Sequence, residues 1–267
     1  MKELFVRALS GLIYVSILVI SMFASQIAFQ ILFLLIGLVC LHEFLKLIRL
    51  KSKLLYIIFI GFIYLFSYLK FDFYATKLLL ILTCFLNLFL LKDLLWVSKI
   101  PMFEKKKYAV SILYIISGFV FIILIPFFNE VFQPMVIVAV FILIWTNDTF
   151  AYLVGKNFGK HKLLERISPK KTIEGFLGGL IAACIAGFFM FKYLTIFNPV
   201  FWVGLAILTS VLGTVGDLVQ SKFKRQAGVK DSGNLMPGHG GLYDRLDSII
   251  YASPFVYAYF LIAQYVS

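Results

Sequence analysis

The chain has 267 residues, 62% of them hydrophobic and only 14% charged, with a mean hydropathy of +0.98. A soluble domain sits nearer half apolar and a quarter charged, so a water-soluble globule is excluded. The net charge of +12 in so apolar a chain points to basic loops beside a membrane, not to nucleic acid, for which no aromatic-basic module is present.

Long apolar runs cross a bilayer as helices, which predicts an all-α integral membrane protein. Nine spans are expected, at about 8–23, 26–45, 54–69, 76–97, 108–128, 133–154, 172–192, 199–219 and 248–266. With the N-terminus inside, alternation places 22 of the 25 basic residues at one side of the membrane. Only Lys70, Lys77 and Lys192 fall outside. That bias predicts a cytoplasmic N-terminus and an external C-terminus.

The first run follows Lys2 and Arg7, so it has the outline of a signal peptide. Its end, SMFASQ, lacks a small-x-small cleavage site, and it reads as an uncleaved span. His42 and Glu43 close the second span, where Glu43 is expected to pair with Lys46 or Arg49. Lys105 to Lys107 are expected at the anionic inner leaflet, where each basic residue contributes about 1 kcal/mol. Cys40, Cys84 and Cys184 lie in separate apolar runs without zinc spacing and read as small buried hydrophobes.

The sixth span ends in Trp145-Thr146-Asn147-Asp148. A carboxylate this close to hydrocarbon is costly and is a functional candidate, with a structural ion pair as the alternative. Ser168-Pro169 then reads as an N-cap and first helical position, so the seventh span is expected to start there. Lys170 and Lys171 would occupy its first turn, against the helix dipole. A bound phosphate would reconcile them with it; simple positive-inside flanking is the alternative. Gly175, Gly178 or Gly179, Ala182 or Ala183, and Ala186 or Gly187 follow at helical spacing, a small face for close helix packing. In the eighth span Ser210, Thr214, Asp217 and Ser221 share one face with Gly213, Gly216 and Gln220, which predicts the lining of a polar cavity.

The stretch from Ser221 to Asp247 breaks the apolar text. It carries Lys222, Lys224, Arg225, Lys230 and Arg245 beside Asp231, Asp244 and Asp247, with five glycines and His239. Cations together with glycine-permitted backbone approach suit a polyanion. Carboxylates in the same segment suit a bridging hard cation. Asp244 and Asp247, three apart, share one face if this part is helical.

Ser221, Lys224-Arg225, Lys230-Asp231, Gly233, His239-Gly240-Gly241, Asp244-Arg245 and Asp247 occur at the spacing of the signature of phosphatidate cytidylyltransferases, also called CDP-diacylglycerol synthases, and the chain resembles that family. The likeness extends back to about Trp145 and more weakly to the N-terminus. It implies transfer of CMP from CTP to phosphatidate, releasing pyrophosphate, in phospholipid biosynthesis at the cell membrane, with the site facing the cytoplasm. It implies a helical bundle in which residues 1–130 are scaffold or a homodimer surface and residues 131–267 hold the site. The metal ligands expected for Mg²⁺ are Asp244 and Asp247 of the signature and Asp217, whose place at the cytoplasmic end of the eighth span lets it reach the same ion, with a neutral Asp bonded to Ser or Thr as the alternative for Asp217; Asp148 is a further candidate, and their number leaves room for a second ion. Ser168, Lys170, Lys171, Lys222, Lys224, Arg225 and Lys230 would hold phosphates of lipid and nucleotide, with Lys171, Lys224 and Arg225 also catalytic. His239 would bond a phosphate, and Gly240 and Gly241 would let the backbone approach it. The diacyl tails would stay in the bilayer. Two other readings stand beside it. A CTP-dependent lipid kinase would transfer the γ-phosphate instead of the α. A transporter would show internal repeats and a midplane site, and neither is visible in the sequence.

Overall fold

In the computed structural model, residues 2–69, 71–194 and 196–266 are described, with side chains from Phe5 to Gln264. Lys70 and the side chain of Lys2, counted among the basic residues, lie outside them. Nine apolar helices occur among the described residues: α1 (Lys2–Ala24), α2 (Gln26–Leu47), α3 (Leu54–Tyr68), α4 (Phe73–Trp96), α5 (Glu104–Phe127), α6 (Pro134–Phe158), α7 (Ile173–Tyr193), α8 (Pro199–Ala227) and α9 (Tyr243–Val266). Eight are long and apolar enough to cross a membrane. The exception is α3. Its 15 residues, the last six wound as a π-helix, reach only about 22 Å, short of ~30 Å of hydrocarbon. The chain is an all-α polytopic membrane protein, with one short hairpin as its only sheet among the described residues.

The rod α5 forms the centre and is nearly enclosed by its neighbours. Its Gly118 lies against the carbonyl of Ile250, where a Cβ would stand 2.8 Å from the oxygen, so α9 packs there backbone to backbone. Pro254 removes the N–H that Ile250 O would otherwise receive. Ser253 Oγ approaches that carbonyl at 3.2 Å and Gly118 O at 2.8 Å, which satisfies the break inside the bundle. Phe44, Tyr114, Phe223 and Tyr243 form an aromatic cluster joining α2, α5, α8 and the start of α9. By contrast α1 exposes most of its length, and its apolar side chains face outward.

The small face of α7 is observed as expected. Gly175, Gly179, Ala183 and Gly187 are its buried residues, one per turn. Cβ atoms at Gly175 and Gly179 would press within 2.7 Å of Ala151 O and 2.6 Å of Asn147 O, on α6. The start of α7 differs from expectation. Ser168–Thr172 is strand β2, paired antiparallel with β1 (Lys162–Leu164), with Lys162 opposite Thr172 and Leu164 opposite Ser168. Thr172 is the N-cap, accepting from Gly175 N at 3.1 Å. Pro169 lacks an N–H and suits an unpaired strand edge as well as a helix start, so Ser-Pro alone did not decide the boundary. Lys170 and Lys171 therefore stand on a hairpin, not in a helical turn, and the dipole argument for them falls.

The loops after α2, α4, α6 and α8 and the start of α1 meet at one end of the bundle. Lys107 donates to Arg49 O (3.3 Å), Arg166 to Val97 O (3.2 Å), Gln226 to Ile100 O (3.1 Å) and Ser10 to Pro237 O (3.0 Å). This is the end at which alternation gathers the basic residues. Of the free cysteines, only Cys40 is buried; Cys84 and Cys184 are half-buried.

Candidate active site

A cavity of about 900 Å³ opens at this basic end, between α6, the β-hairpin, α8, the start of α9 and one face of α1. Its wall carries Asp148, Asp217, Asp244 and Asp247 together with Lys156, Lys162, Lys170, Lys171, Lys224 and Arg245. Thr214 and Asp217 bring the polar face of α8 to it, as its spacing predicted.

The centre is an ion pair. Lys171 Nζ lies 2.6 Å from Asp217 Oδ2, with both side chains about one-third exposed. Asp217 Oδ1 also accepts from Ser221 Oγ at 3.1 Å. Burial works against the charge of Lys171, but the Asp217 carboxylate outweighs it, with Asp148 and Asp247 adding to the effect. The lysine pKa is held above its ordinary value, and the ammonium persists at physiological pH. Asp148, held by Asn147 Nδ2 at 3.2 Å, belongs to the same charged group.

The two carboxylates at the start of α9 are not equivalent. Asp244 is saturated: Oδ1 accepts from Lys224 Nζ (2.7 Å) and Gln220 Nε2 (3.2 Å). Its Oδ2 accepts from Ser232 N (2.8 Å) and Gly241 N (3.0 Å), and stands 3.0 Å from Ser232 Oγ, whose proton goes to Glu43. Asp247 is buried and accepts one hydrogen bond among the described residues, from Ser248 N at 2.8 Å. Its remaining acceptor capacity is uncommitted, on the cavity wall. No cluster of three or more His, Cys, Asp or Glu side chains converges as a ready-made metal site among the described residues. Asp217 and Asp247, however, face the same cavity, and one or two carboxylates suffice for Mg²⁺ that arrives with phosphates.

His239 lines the cavity from the loop before α9, its Nδ1 2.8 Å from Ser10 Oγ on α1. Burial, then the charges of Arg245 and Arg7, lower its pKa below the ordinary histidine value, so the ring is neutral at physiological pH. Arg245 donates to His239 O at 2.9 Å. Gly240 has φ +88°, and a Cβ there would stand 2.8 Å from Asp244 Oδ2. At Gly241 a Cβ would collide with Glu43 and Ser232. The close backbone approach inferred for these glycines thus exists, but the structure shows it toward protein carboxylates.

Several expected phosphate ligands stand elsewhere. Lys222 is 2% exposed and donates to Asp93 O and Val97 O, both at 2.6 Å, which ties α8 to the end of α4. It is a buried structural lysine that does not reach the cavity. Arg225 is exposed and donates to Val229 O at the C-terminus of α8. Lys230 and Ser168 do not line the cavity either. Helical phase explains Lys222, which lies roughly 140° around α8 from Asp217 and roughly 160° from Lys224.

Glu43 does not pair with Lys46 or Arg49. It reaches into the loop before α9 and accepts from Ser232 Oγ (2.7 Å), Tyr243 N (2.9 Å) and Leu242 N (3.2 Å). Sequence reasoning missed this role, and that of Ser10 and Tyr14 on α1. An acidic residue inside an apolar run was the available signal for Glu43; Ser10 gave none.

The fold is that of a polytopic helical membrane protein whose basic end opens into a cavity walled by lysines and aspartates. The chain belongs to the cytidylyltransferase family, whose model matches residues 5–263. It is 51% identical over 116 residues to a phosphatidate cytidylyltransferase of Staphylococcus aureus (strain COL), covering 43% of this chain and 44% of the relative. The corresponding protein of Staphylococcus haemolyticus (strain JCSC1435) is 50% identical over 116 residues, with the same coverage. That of Bacillus subtilis (strain 168) is 46% identical over 132 residues, 46% of each chain. The aligned stretch spans just under half the length of these curated relatives.

Proposed function

We propose that this protein is a phosphatidate cytidylyltransferase of the cell membrane, its cavity open to the cytoplasm. The observation that carries the reading is the Lys171–Asp217 pair beside the under-bonded Asp247, in a cavity at the basic end of a membrane bundle. Membership of the cytidylyltransferase family and the identity of the relatives as phosphatidate cytidylyltransferases support the choice of CTP and phosphatidate.

An ionised phosphate oxygen of phosphatidate attacks the α-phosphorus of CTP. The bond from that phosphorus to the bridging oxygen breaks, and pyrophosphate leaves with the electron pair. The nucleophile already carries charge, so the protein's task is to position two anions and neutralise charge as it moves toward the leaving group. Lys171 and Lys224 supply positive charge at the cavity wall, and Lys170, Lys162 and Arg245 widen that field. Asp217 orients Lys171, and Asp244 orients Lys224. Asp217 and Asp247 would hold Mg²⁺, which when bound neutralises phosphate charge. The neutral His239 presents a ring to the cavity and carries no standing charge. The lipid tails remain in the bilayer beside the bundle.

The test uses CTP labelled at the α- or the γ-phosphate, given to sealed inverted membrane vesicles whose cytoplasmic face is outward. Transfer of the α-label to lipid, with no γ-label, is expected. Transfer of the γ-label would make the protein a lipid kinase. Incorporation of α-label only in right-side-out vesicles would reverse the orientation.

A further inference from the structure

Two buried carboxylates have no part in the catalytic reading; Asp93 is paired with Lys106 at 2.6 Å, and Glu43 is the other. Glu43 on α2 is 6% exposed and enters no ion pair among the described residues. An unpaired buried carboxylate is costly unless donors surround it. Here the donors are Ser232 Oγ and the free N–H groups of Leu242 and Tyr243 where α9 begins. Those amides have no partner inside the helix, and the positive end of the helix dipole faces the same carboxylate. Glu43 thus caps α9 from a different helix.

The loop is shaped around it. A Cβ at Gly233 or at Gly241 would run into the Glu43 carboxylate. Ser232 donates its hydroxyl to Glu43 Oε2 at 2.7 Å and its backbone N–H to Asp244 Oδ2 at 2.8 Å, and Lys224 donates to Asp244 at 2.7 Å. A continuous polar chain therefore runs from α2 through Ser232 and Asp244 to a cation of the cavity wall.

We propose that Glu43 is a positioning residue for the group transfer: it fixes the start of α9 and, through Ser232, the Asp244–Lys224 pair, so that Lys224 and Asp247 stand on the cavity wall. Its activity readout rests on the proposed function; its structural readout does not.

Glu43→Gln keeps the size but turns an N–H toward at least one of the N–H and O–H donors that Glu43 accepts. Hydrogen exchange and steady-state rates are measured on the purified full chain. Amides in 232–247 should exchange faster, with the rest of the chain unchanged. The kcat per folded molecule should fall about tenfold or more while KM for both substrates moves less than about threefold. Gly233→Ala should reproduce this signature by collision. Gly233→Ala combined with Glu43→Asp, one methylene shorter, should recover part of the rate. Unchanged exchange and kcat in Glu43→Gln, or a double variant no better than Gly233→Ala alone, would overturn the proposal. A wild-type protein that transfers no label would overturn the proposed function and leave the exchange data to decide the role of Glu43.

Discussion

Asp244 and Asp247 show where residue identity stops predicting role. Both stand in the first turns of α9, on the face their spacing implied. As a sequence pair they read as equal metal ligands that repel one another. In the structure four donors occupy Asp244, while Asp247 keeps free lone pairs. The account therefore predicts different failures. Asp247→Asn should lower the initial rate at least about 100-fold, roughly 2.7 kcal/mol, and alter its Mg²⁺ dependence while melting is retained. Asp244→Asn should lower the melting point as well, because it releases Lys224 and leaves buried donors competing for a single oxygen. Initial rates across a Mg²⁺ titration, with melting curves on the same preparations, check this. Wild-type rate and Mg²⁺ dependence in Asp247→Asn would remove it from the site. Lys222 teaches the same lesson from the other side. Its charge, in the same polar stretch as the signature residues, suggested phosphate, but helical phase turned it onto the carbonyls that end α4.

At the scale of elements, patterns that depend on one helix alone were legible, and those that depend on a partner were not. The apolar runs gave the helices, and glycine spacing gave the packing face of α7. The β-hairpin was not legible, because Ser-Pro-Lys-Lys-Thr fits both a helix start and a strand edge, and only pairing with Lys162–Leu164 decides. The contact of Glu43 with the loop before α9 joins residues about 200 apart in the chain, and no local pattern encodes it. The α6–α7 interface makes a sharp prediction. Gly179→Leu would thrust a side chain against Asn147 O and Asn147 Oδ1. Overpacking of this kind typically costs about 1–3 kcal/mol, so a melting temperature in detergent lower by several degrees is expected. Gly61→Leu, where nothing stands within 4 Å of the added Cβ, is the control and should melt like wild type. Equal melting of both variants would mean that α6 and α7 do not pack through this stripe.

For the whole molecule, charge and hydropathy carried the most information. Alternation of nine apolar runs placed 22 of 25 basic residues on one side, and the structure brings those loops to one end of the bundle, where six of these residues line the cavity. The share of α1 in that cavity, through Gly11, Tyr14 and Val15, was hidden, because an apolar helix gives no sequence sign of which neighbour it covers. The central claim is that this cavity carries out the transfer, with Lys171 and Asp217 at its centre. Its most direct measurement is the initial rate of α-label transfer from CTP to phosphatidate in vesicles holding purified wild type, Lys171→Gln or Asp217→Asn. The account predicts transfer by wild type and at least about a 100-fold loss in both variants, each still folded by its melting curve. Wild-type rates in either folded variant would contradict it.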